Sequence, residues 1–284
     1  LVVCGAKGGV GASTMTALVG ELSSYFAKKV ALIDLDSYSQ DLTRFYNVSP
    51  CVNEALDSLL RGSRPISGEL IKQVAVSSFN ERIDIVPPAV DKSLVEQADP
   101  RMSRNFLRIL ESLDELYDLM VVDLSCASAI LREFIFRSAD FIIIVTDRQV
   151  SSVPATAVTI NEIKTLSSES AKIVLLVNEE KTVGNLPLTF LRQIYLNVIN
   201  EVDNQISLKS HDQISILYMG RSPKIPLWFS SGKNLIQFVS KTSRRILTNA
   251  LIDLELIDGE MRGSRQRIPR YVACLQSVLK KITL

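Results

Sequence analysis

Short apolar runs recur along the chain, and segments with helical periodicity lie between them. Seven of these runs indicate buried strands, at residues 1–4, 30–33, 83–86, 119–122, 141–145, 173–177 and 214–217. Four segments place apolar residues at helical spacing, at 14–26, 105–116, 153–166 and 235–256. Strands that are apolar on both faces and alternate with helices are typical of a covered parallel sheet. The pattern therefore predicts an α/β fold, with a mostly parallel sheet flanked by helices on both faces.

The end of the chain differs from the rest in charge. The sequence has 32 basic and 31 acidic residues, but residues 261–284 contain six basic residues and no acidic one. Residues 1–260 therefore carry 26 basic against 31 acidic residues. Within 268–284, six apolar residues fall in a helical arc of about 120°: Tyr271, Val272, Leu275, Val278, Leu279 and Ile282. We predict one α/β domain over 1–257 and a basic amphipathic helical extension over 258–284. This extension could dock on its own domain, on a partner or on an anionic membrane.

Composition excludes several protein classes. The longest apolar runs, such as 141–145, are far shorter than the roughly 18 residues needed to cross a bilayer, which argues against an integral membrane protein. The four cysteines are scattered without a CxxC pair, and His211 is the single histidine. A zinc site or a disulfide framework is therefore not expected, and the cysteine usage fits a reducing cytosol.

A glycine-rich segment joins the first predicted strand to the first predicted helix, and residues 5–14 read GAKGGVGAST. Its glycines let successive backbone N–H groups turn inward, and the helix start adds its dipole, so the segment can hold phosphate groups. Ser13 stands where a phosphate loop places its Mg²⁺ ligand. An ordinary glycine-rich turn is the alternative, but the strand-loop-helix context favours a nucleotide loop.

Several further motifs follow this loop in a familiar order. Lys7-Gly8-Gly9-Val10-Gly11 resembles the deviant Walker A box of the ParA/MinD superfamily, in which a lysine precedes the glycines. Asp34-Leu35-Asp36 follows the second predicted strand, and residues 117–123 resemble a Walker B segment. Residues 142–145 followed by 151–153, and then 175–178, match the same superfamily. The resemblance extends over roughly residues 1–240, and the combination is more specific than any single motif.

This resemblance implies a site for ATP and Mg²⁺. The phosphates would be held by Gly8, Gly9, Val10, Gly11, Ala12, Ser13 and Thr14. Mg²⁺ would be supported by Ser13, Asp34 and Asp123. Asp36 would orient the attacking water, although strand-end carboxylates also serve as caps and turn formers. The amide of Asn178 would read the adenine edge, or it is an ordinary turn residue.

The resemblance also implies a homodimer. Lys7 would reach across a two-fold interface to the phosphates of the partner subunit, which would make nucleotide binding and dimerisation a single event. A solvated loop lysine is the alternative interpretation of this residue. A two-fold dimer around two ATP–Mg²⁺ molecules is therefore expected.

Ala12 departs from the pattern, because most of the superfamily has a second phosphate-loop lysine at that position. Without an ammonium on the β- and γ-phosphates, ATP can still bind but its hydrolysis should be slow. This replacement and residues 34–48 resemble the TadZ/CpaE branch, the localisation ATPases of tight-adherence pilus assembly. The branch implies a receiver-like domain before Leu1 and partners in pilus or secretion machinery. It also implies a cytoplasmic protein, polar or peripheral to the inner membrane through those partners.

Other functions remain open at this point. A plasmid or chromosome partition ATPase would bind DNA, but the acidic excess of residues 1–260 argues against that function. A MinD-like ATPase would bind a membrane surface through its tail, whose apolar arc lacks Trp and Phe. A scaffold with a vestigial phosphate loop would not bind nucleotide at all.

Overall fold

The computed structural model describes residues 1–26, 28–49, 52–91, 93, 97, 99–124, 127–168, 170–178, 186–206, 214–219, 235–254 and 256–257, with the backbone alone for 201–206. Within these ranges the strands are β1 (Val2–Gly5), β2 (Val30–Asp34), β3 (Val76–Ser77), β4 (Ile83–Val86), β5 (Leu119–Asp123), β6 (Phe141–Thr146), β7 (Lys172–Asn178) and β8 (Ser215–Met219). The helices are α1 (Ala12–Tyr25), α2 (Asp41–Phe45), α3 (Glu54–Arg61), α4 (Gly68–Val74), α5 (Pro100–Asp114), α6 (Ala129–Ser138), α7 (Ser152–Leu166), α8 (Leu188–Ile206) and α9 (Lys241–Asp253). A 3₁₀ turn, Leu235–Gln237, precedes α9.

The strands form one eight-stranded sheet in the order β3-β4-β2-β5-β1-β6-β7-β8. Neighbouring strands run parallel, except that β3 is antiparallel to β4. The seven predicted strands are confirmed, and the two-residue β3 was too short to be recognised in the sequence. The predicted fold class is therefore correct.

Both faces of the sheet are buried, which explains the continuous apolar strands. Along β2, Ala31 and Ile33 pack into one apolar cluster, while Val30 and Leu32 pack into the other. Helices α3 to α8 cover the first face. Helices α1, α2 and α9 cover the second. Because successive side chains of a strand point to opposite faces, each face needs its own helical layer.

Two helices begin at residues other than those predicted, because capping residues set where each helix starts. Helix α5 begins five residues before the predicted start at 105, because Asp99 accepts a hydrogen bond from the Met102 N–H and Pro100 suits the first turn. The segment predicted as one helix over 235–256 is divided, because Ser240 caps α9 by accepting a hydrogen bond from the Ser243 N–H.

The predicted extension over 258–284 lies outside the described residues. No helix in the described part of the chain is long and apolar enough to cross a membrane.

Candidate nucleotide-binding site

The glycine-rich loop connects the end of β1 to the start of α1. Gly11 precedes α1 with φ 93° and ψ 29°, and a Cβ at this position would lie 2.9 Å from Asn178 Nδ2. Gly9 also has a positive φ, of 79°. A Cβ on Gly8 or Gly9 would meet no protein atom within 4 Å, so the backbone at both residues borders open space. The loop thus leaves room for a group of atoms against its backbone.

A cavity of about 700 Å³ opens in front of this loop, at the carboxyl ends of the central strands. That volume falls in the range typical of small-molecule sites. The cavity is lined by Gly5, the loop residues 7–14, Asp36, Ser39, Asp41, Phe45 and Leu124. Among the described residues of this lining, Lys7 is the only basic one, and two are carboxylates. Phosphate groups there would therefore depend mainly on backbone N–H groups and on the positive end of α1.

Two buried carboxylates lie side by side behind the loop. Asp34 on β2 is in register with Asp123 on β5, and both residues are fully buried. Asp34 accepts hydrogen bonds from the Thr43 N–H at 2.9 Å, the Thr43 hydroxyl at 2.8 Å and the Asp36 N–H at 3.0 Å. Burial raises the pKa of Asp34 to about 6 despite these bonds. The structure thus brings together the two predicted supports of Mg²⁺ and ties one of them to α2.

Asp36 borders the cavity and also shapes the turn that follows it. Its carboxylate accepts hydrogen bonds from the Tyr38 N–H at 2.9 Å, the Ser39 N–H at 3.0 Å and the Ser39 hydroxyl. Carboxylates commonly hold turns in this way. The position beside the cavity is compatible with the predicted contact to water, which stays a prediction.

Lys7 is held by residues of its own chain. Its Nζ donates to Gln149 Oε1 at 2.8 Å and to Ser151 Oγ at 3.2 Å, and it lies 3.3 Å from Asp147 Oδ2. These three acceptors belong to the segment that joins β6 to α7. The predicted contact of Lys7 with a partner subunit stays a prediction, and it would require the ammonium to leave these acceptors.

Asn178 lies beside the loop at the end of β7. Its Nδ2 donates to the Val10 carbonyl oxygen at 3.0 Å, which connects the loop to a second strand. This bond uses one of the two N–H donors of the amide, and the predicted contact with adenine stays a prediction.

The side chains at this site are of the chemical type that binds Mg²⁺. Ser13 borders the cavity, and the carboxylates of Asp34 and Asp123 lie at neighbouring strand ends. Hydroxyl and carboxylate oxygens suit Mg²⁺, which usually combines a few protein ligands with waters and substrate phosphates. Among the residues that the structure describes, no group of three or more His, Cys, Asp or Glu side chains is arranged to hold a metal. The predicted contacts of Ser13, Asp34 and Asp123 with Mg²⁺ stay predictions.

The sequence prediction missed some residues of this region. Asp147 was one of them, although its position directly after β6 was a signal, because parallel strands end at one edge of the sheet. Ser39, Asp41 and Phe45 line the cavity from α2 and the turn before it. Helix α2 has only five residues, too few to show a helical period.

Comparison with known proteins agrees with this architecture. No curated protein sequence matches the chain. Among solved structures, MinD from Pyrococcus horikoshii OT3 with Mg-ADP has 18% identity and a TM-score of 0.61, over 90% of this chain and 94% of that one. An ATP complex of a McdA variant from Cyanothece has 16% identity and a TM-score of 0.66, over 90% and 96%. The pNOB8 ParA bound to nonspecific DNA has 18% identity and a TM-score of 0.60, over 89% and 98%.

Sequence comparison adds a family assignment to this likeness in fold. The AAA_31 family model, described as an AAA domain, matches residues 1–175, which is well over half of the chain. Its matched range includes the glycine-rich loop and the strand-end carboxylates of β2 and β5. The chain therefore belongs to this AAA domain family and has the P-loop fold of the MinD and ParA ATPases.

Proposed function

We propose that the protein binds ATP with Mg²⁺ and then forms a homodimer that localises or recruits an assembly, in the manner of the TadZ/CpaE branch. The observation that carries this proposal is the cavity of about 700 Å³ in front of the glycine-rich loop, where the backbone of Gly8 and Gly9 faces open space. The positive end of α1 points to the same space. Mg-ADP and ATP are the ligands in two solved structures of this fold.

Each residue of the site has a distinct part in this proposal. The backbone N–H groups from Gly8 to Thr14 bind the phosphates, and Asn178 holds the loop in place through the Val10 carbonyl. Mg²⁺ bound with ATP would neutralise phosphate charge, and Ser13, Asp34 and Asp123 would hold it. Asp36 orients a water molecule at its carboxylate. Ala12 lines the cavity without a charge, so hydrolysis is slow.

The surface beside Lys7 is suited to a second copy of the chain. Val150 lies between two of the acceptors of Lys7 and is 63% exposed. The Arg148 guanidinium donates to the Leu186 carbonyl oxygen at 2.7 Å, which brings the start of α8 to this segment. Phe190, near that start, is 55% exposed. These exposed apolar side chains would be covered if a second copy of the chain docked on this segment.

Sedimentation velocity with and without ATP–Mg²⁺ tests the proposal. The parent should sediment as a dimer with ATP–Mg²⁺, and Lys7→Gln should bind ATP but remain monomeric, because its contact is made across the interface. Lys72→Gln removes an exposed lysine on α4 and should dimerise like the parent. Dimerisation of Lys7→Gln with the affinity of the parent would refute the contact across the interface. Failure of the parent to bind ATP would refute the proposal as a whole.

A partition-type ATPase that binds DNA is a second candidate. It is favoured by residues 261–284, which carry six basic residues and no acidic one. Removal of residues 265–284 should then abolish binding to a labelled duplex and the steep fall of that binding with salt. If the parent binds no duplex at low salt, this candidate is excluded and the recruitment function is favoured.

A further inference from the structure

A second concave region lies between α3, α5 and the loop after α3, and we call it the arginine groove. Its volume is about 570 Å³, and its lining includes Arg64, Arg101 and Arg108. Leu59, Pro65 and Ile66 supply apolar surface in the same groove. No residue lines both this groove and the nucleotide cavity, so the two regions are separate.

Local structure fixes the two walls of the groove relative to each other. Arg101, Asn105 and Arg108 follow one another along one face of α5, at the i, i+4 and i+7 positions. The Asn105 Nδ2 donates to the Leu60 carbonyl oxygen at 3.0 Å, which holds α5 against the end of α3. Gly62 ends α3 with a φ of 67°, and a Cβ there would lie 3.1 Å from Arg101 Nη2. Arg101 therefore lies over the negative end of the α3 dipole, which stabilises its charge.

The three guanidinium groups have no acidic partners among the described residues. Within that part of the chain, no carboxylate lies within 4 Å of Arg64, Arg101 or Arg108. By contrast, Arg61 pairs with Asp91. The segments 59–66 and 100–108 together contain five arginines and no acidic residue, although residues 1–260 as a whole are acidic. The groove is therefore a local positive surface on a negative domain.

This chemistry selects an anionic ligand with apolar groups. Guanidinium groups bind carboxylates and phosphates in a forked geometry. From Arg101 to Arg108, the row along α5 spans about 10 Å at 1.5 Å per residue, which suits an extended segment with several anionic groups. All three arginines are exposed, whereas a small-molecule site encloses most of its ligand. The surrounding acidic excess opposes a nucleic acid, whose non-specific binding depends on widespread positive charge.

We propose that the arginine groove binds an acidic segment of a partner protein that also carries apolar side chains. The carboxylates of that segment pair with Arg64, Arg101 and Arg108, and its apolar side chains contact Leu59, Pro65 and Ile66. Arginine and apolar side chains are a common combination at protein interfaces. This binding does not depend on nucleotide, so it can be tested apart from the proposed ATP site.

Fluorescence anisotropy with a defined peptide tests the inference. The probe is a fluorescein-labelled peptide of four Glu-Asp-Leu repeats, and the control probe has four Gln-Asn-Leu repeats. The full chain should bind the acidic probe saturably at low salt without nucleotide, and bind the neutral probe at least tenfold more weakly. Arg64→Gln and Arg108→Gln should each weaken binding by about threefold to fivefold, because each removes one charged contact. Arg137→Gln, at an exposed arginine paired on α6, should bind like the parent.

Further variants distinguish binding in the groove from binding elsewhere on the protein. Arg108→Lys should regain part of the affinity, since it keeps the charge and loses the fork. Thermal unfolding of each variant should match the parent, because Arg64 and Arg108 are exposed and only Arg101 lies over the end of α3. Equal binding by the parent and an Arg64→Gln, Arg108→Gln double variant would overturn the inference and assign the binding to another basic segment. Tighter binding of a labelled 20-base-pair duplex, lost in the same double variant, would also overturn it, as would no saturable peptide binding.

Discussion

The nucleotide cavity and the arginine groove are both suited to anions, but they lie at different kinds of helix end. The cavity lies at the start of α1, and the groove lies at the end of α3. Gly11 has a φ of 93° at the start of α1, where the backbone N–H groups and the positive dipole face the cavity. Gly62 has a φ of 67° at the end of α3, where the dipole is negative. The negative end cannot attract an anion itself, and it instead holds Arg101, whose side chain supplies the positive charge. Backbone geometry thus makes one site, and side chains on two segments make the other.

The two regions also differ in their acidic residues. The nucleotide cavity has Asp36 and Asp41 in its lining and Asp34 and Asp123 buried behind it, so a triphosphate there needs a cation. No carboxylate is among the described residues that line the arginine groove. We therefore expect Mg²⁺ to control anion binding in the cavity and salt concentration to control it in the groove.

The largest expected effect follows substitution of the cavity glycine. Gly11→Val places a β-branched side chain at a positive φ and within 2.9 Å of Asn178 Nδ2, so the loop must move. We expect ATP binding to weaken by more than about a hundredfold and peptide binding at the arginine groove to be unchanged. Gly68→Val is the matched control, because a Cβ there meets nothing within 4 Å. Calorimetric titration of ATP into each variant measures this effect. If Gly11→Val bound ATP as tightly as the parent, the loop geometry would be contradicted.

A buried acid on α1 should make stability depend on pH. Glu21 on α1 is fully buried, and burial raises its pKa to about 7 from 4.5. Between these pH values the folded state retains a proton that the unfolded state has lost, so stability falls as pH rises and the loss is complete above pH 7. Glu21→Gln removes this loss. The free energy of unfolding of the variant, relative to that of the parent, should therefore rise by about 2 kcal/mol from pH 5 to pH 7.5.

Urea unfolding of the parent and the variant at several pH values measures that difference. Asp34 titrates with a pKa of about 6 in both proteins, so its contribution cancels in the comparison. The exposed Glu111 on α5, the helix of the arginine groove, provides the control variant Glu111→Gln, which should show no such gain. If the free energies of unfolding of Glu21→Gln and the parent differed by the same amount across this pH range, Glu21 would not retain its proton.

Substitution of the groove glycine should have the smallest effect. Gly62→Ala places a Cβ at a positive φ and 3.1 Å from Arg101 Nη2, whose flexible side chain can shift. We expect the free energy of unfolding to fall by about 1 kcal/mol, as for other left-handed helix ends, and ATP binding to be unchanged. Thermal and urea unfolding with an ATP titration check this, and a stability equal to that of the parent would contradict the strain assigned to Gly62.

The sequence predicted those parts of the molecule that are encoded by residues close together along the chain. The apolar runs identified seven strands because each is buried on both faces, and the glycine-rich loop was identifiable because its residues are contiguous. The resemblance to the ParA/MinD superfamily implied that Asp34 and Asp123 serve the same Mg²⁺ site, and the structure has them in register on adjacent strands. Such features need only neighbouring residues and the general properties of the fold.

The rest depended on contacts between distant segments. The partners of Lys7 at Asp147, Gln149 and Ser151 are about 140 residues away, and a lone lysine does not reveal its acceptors. The arginine groove joins Arg64 with two residues of α5, and neither segment is distinctive alone. Helices α2 and α4 are too short to show a period, so tertiary packing rather than sequence pattern marks them.

Calorimetric titration of ATP into the full chain, in Mg²⁺ and again in EDTA, is the sharpest test of the proposed nucleotide site. Among the described residues, the cavity lining has one basic side chain, Lys7, and two carboxylates, so the proposed site depends on backbone N–H groups and a bound cation to hold the phosphates. We expect saturable binding of one ATP per chain with Mg²⁺, and binding at least about tenfold weaker in EDTA. An absence of binding at millimolar ATP with Mg²⁺, or equal affinity in EDTA, would contradict this assignment.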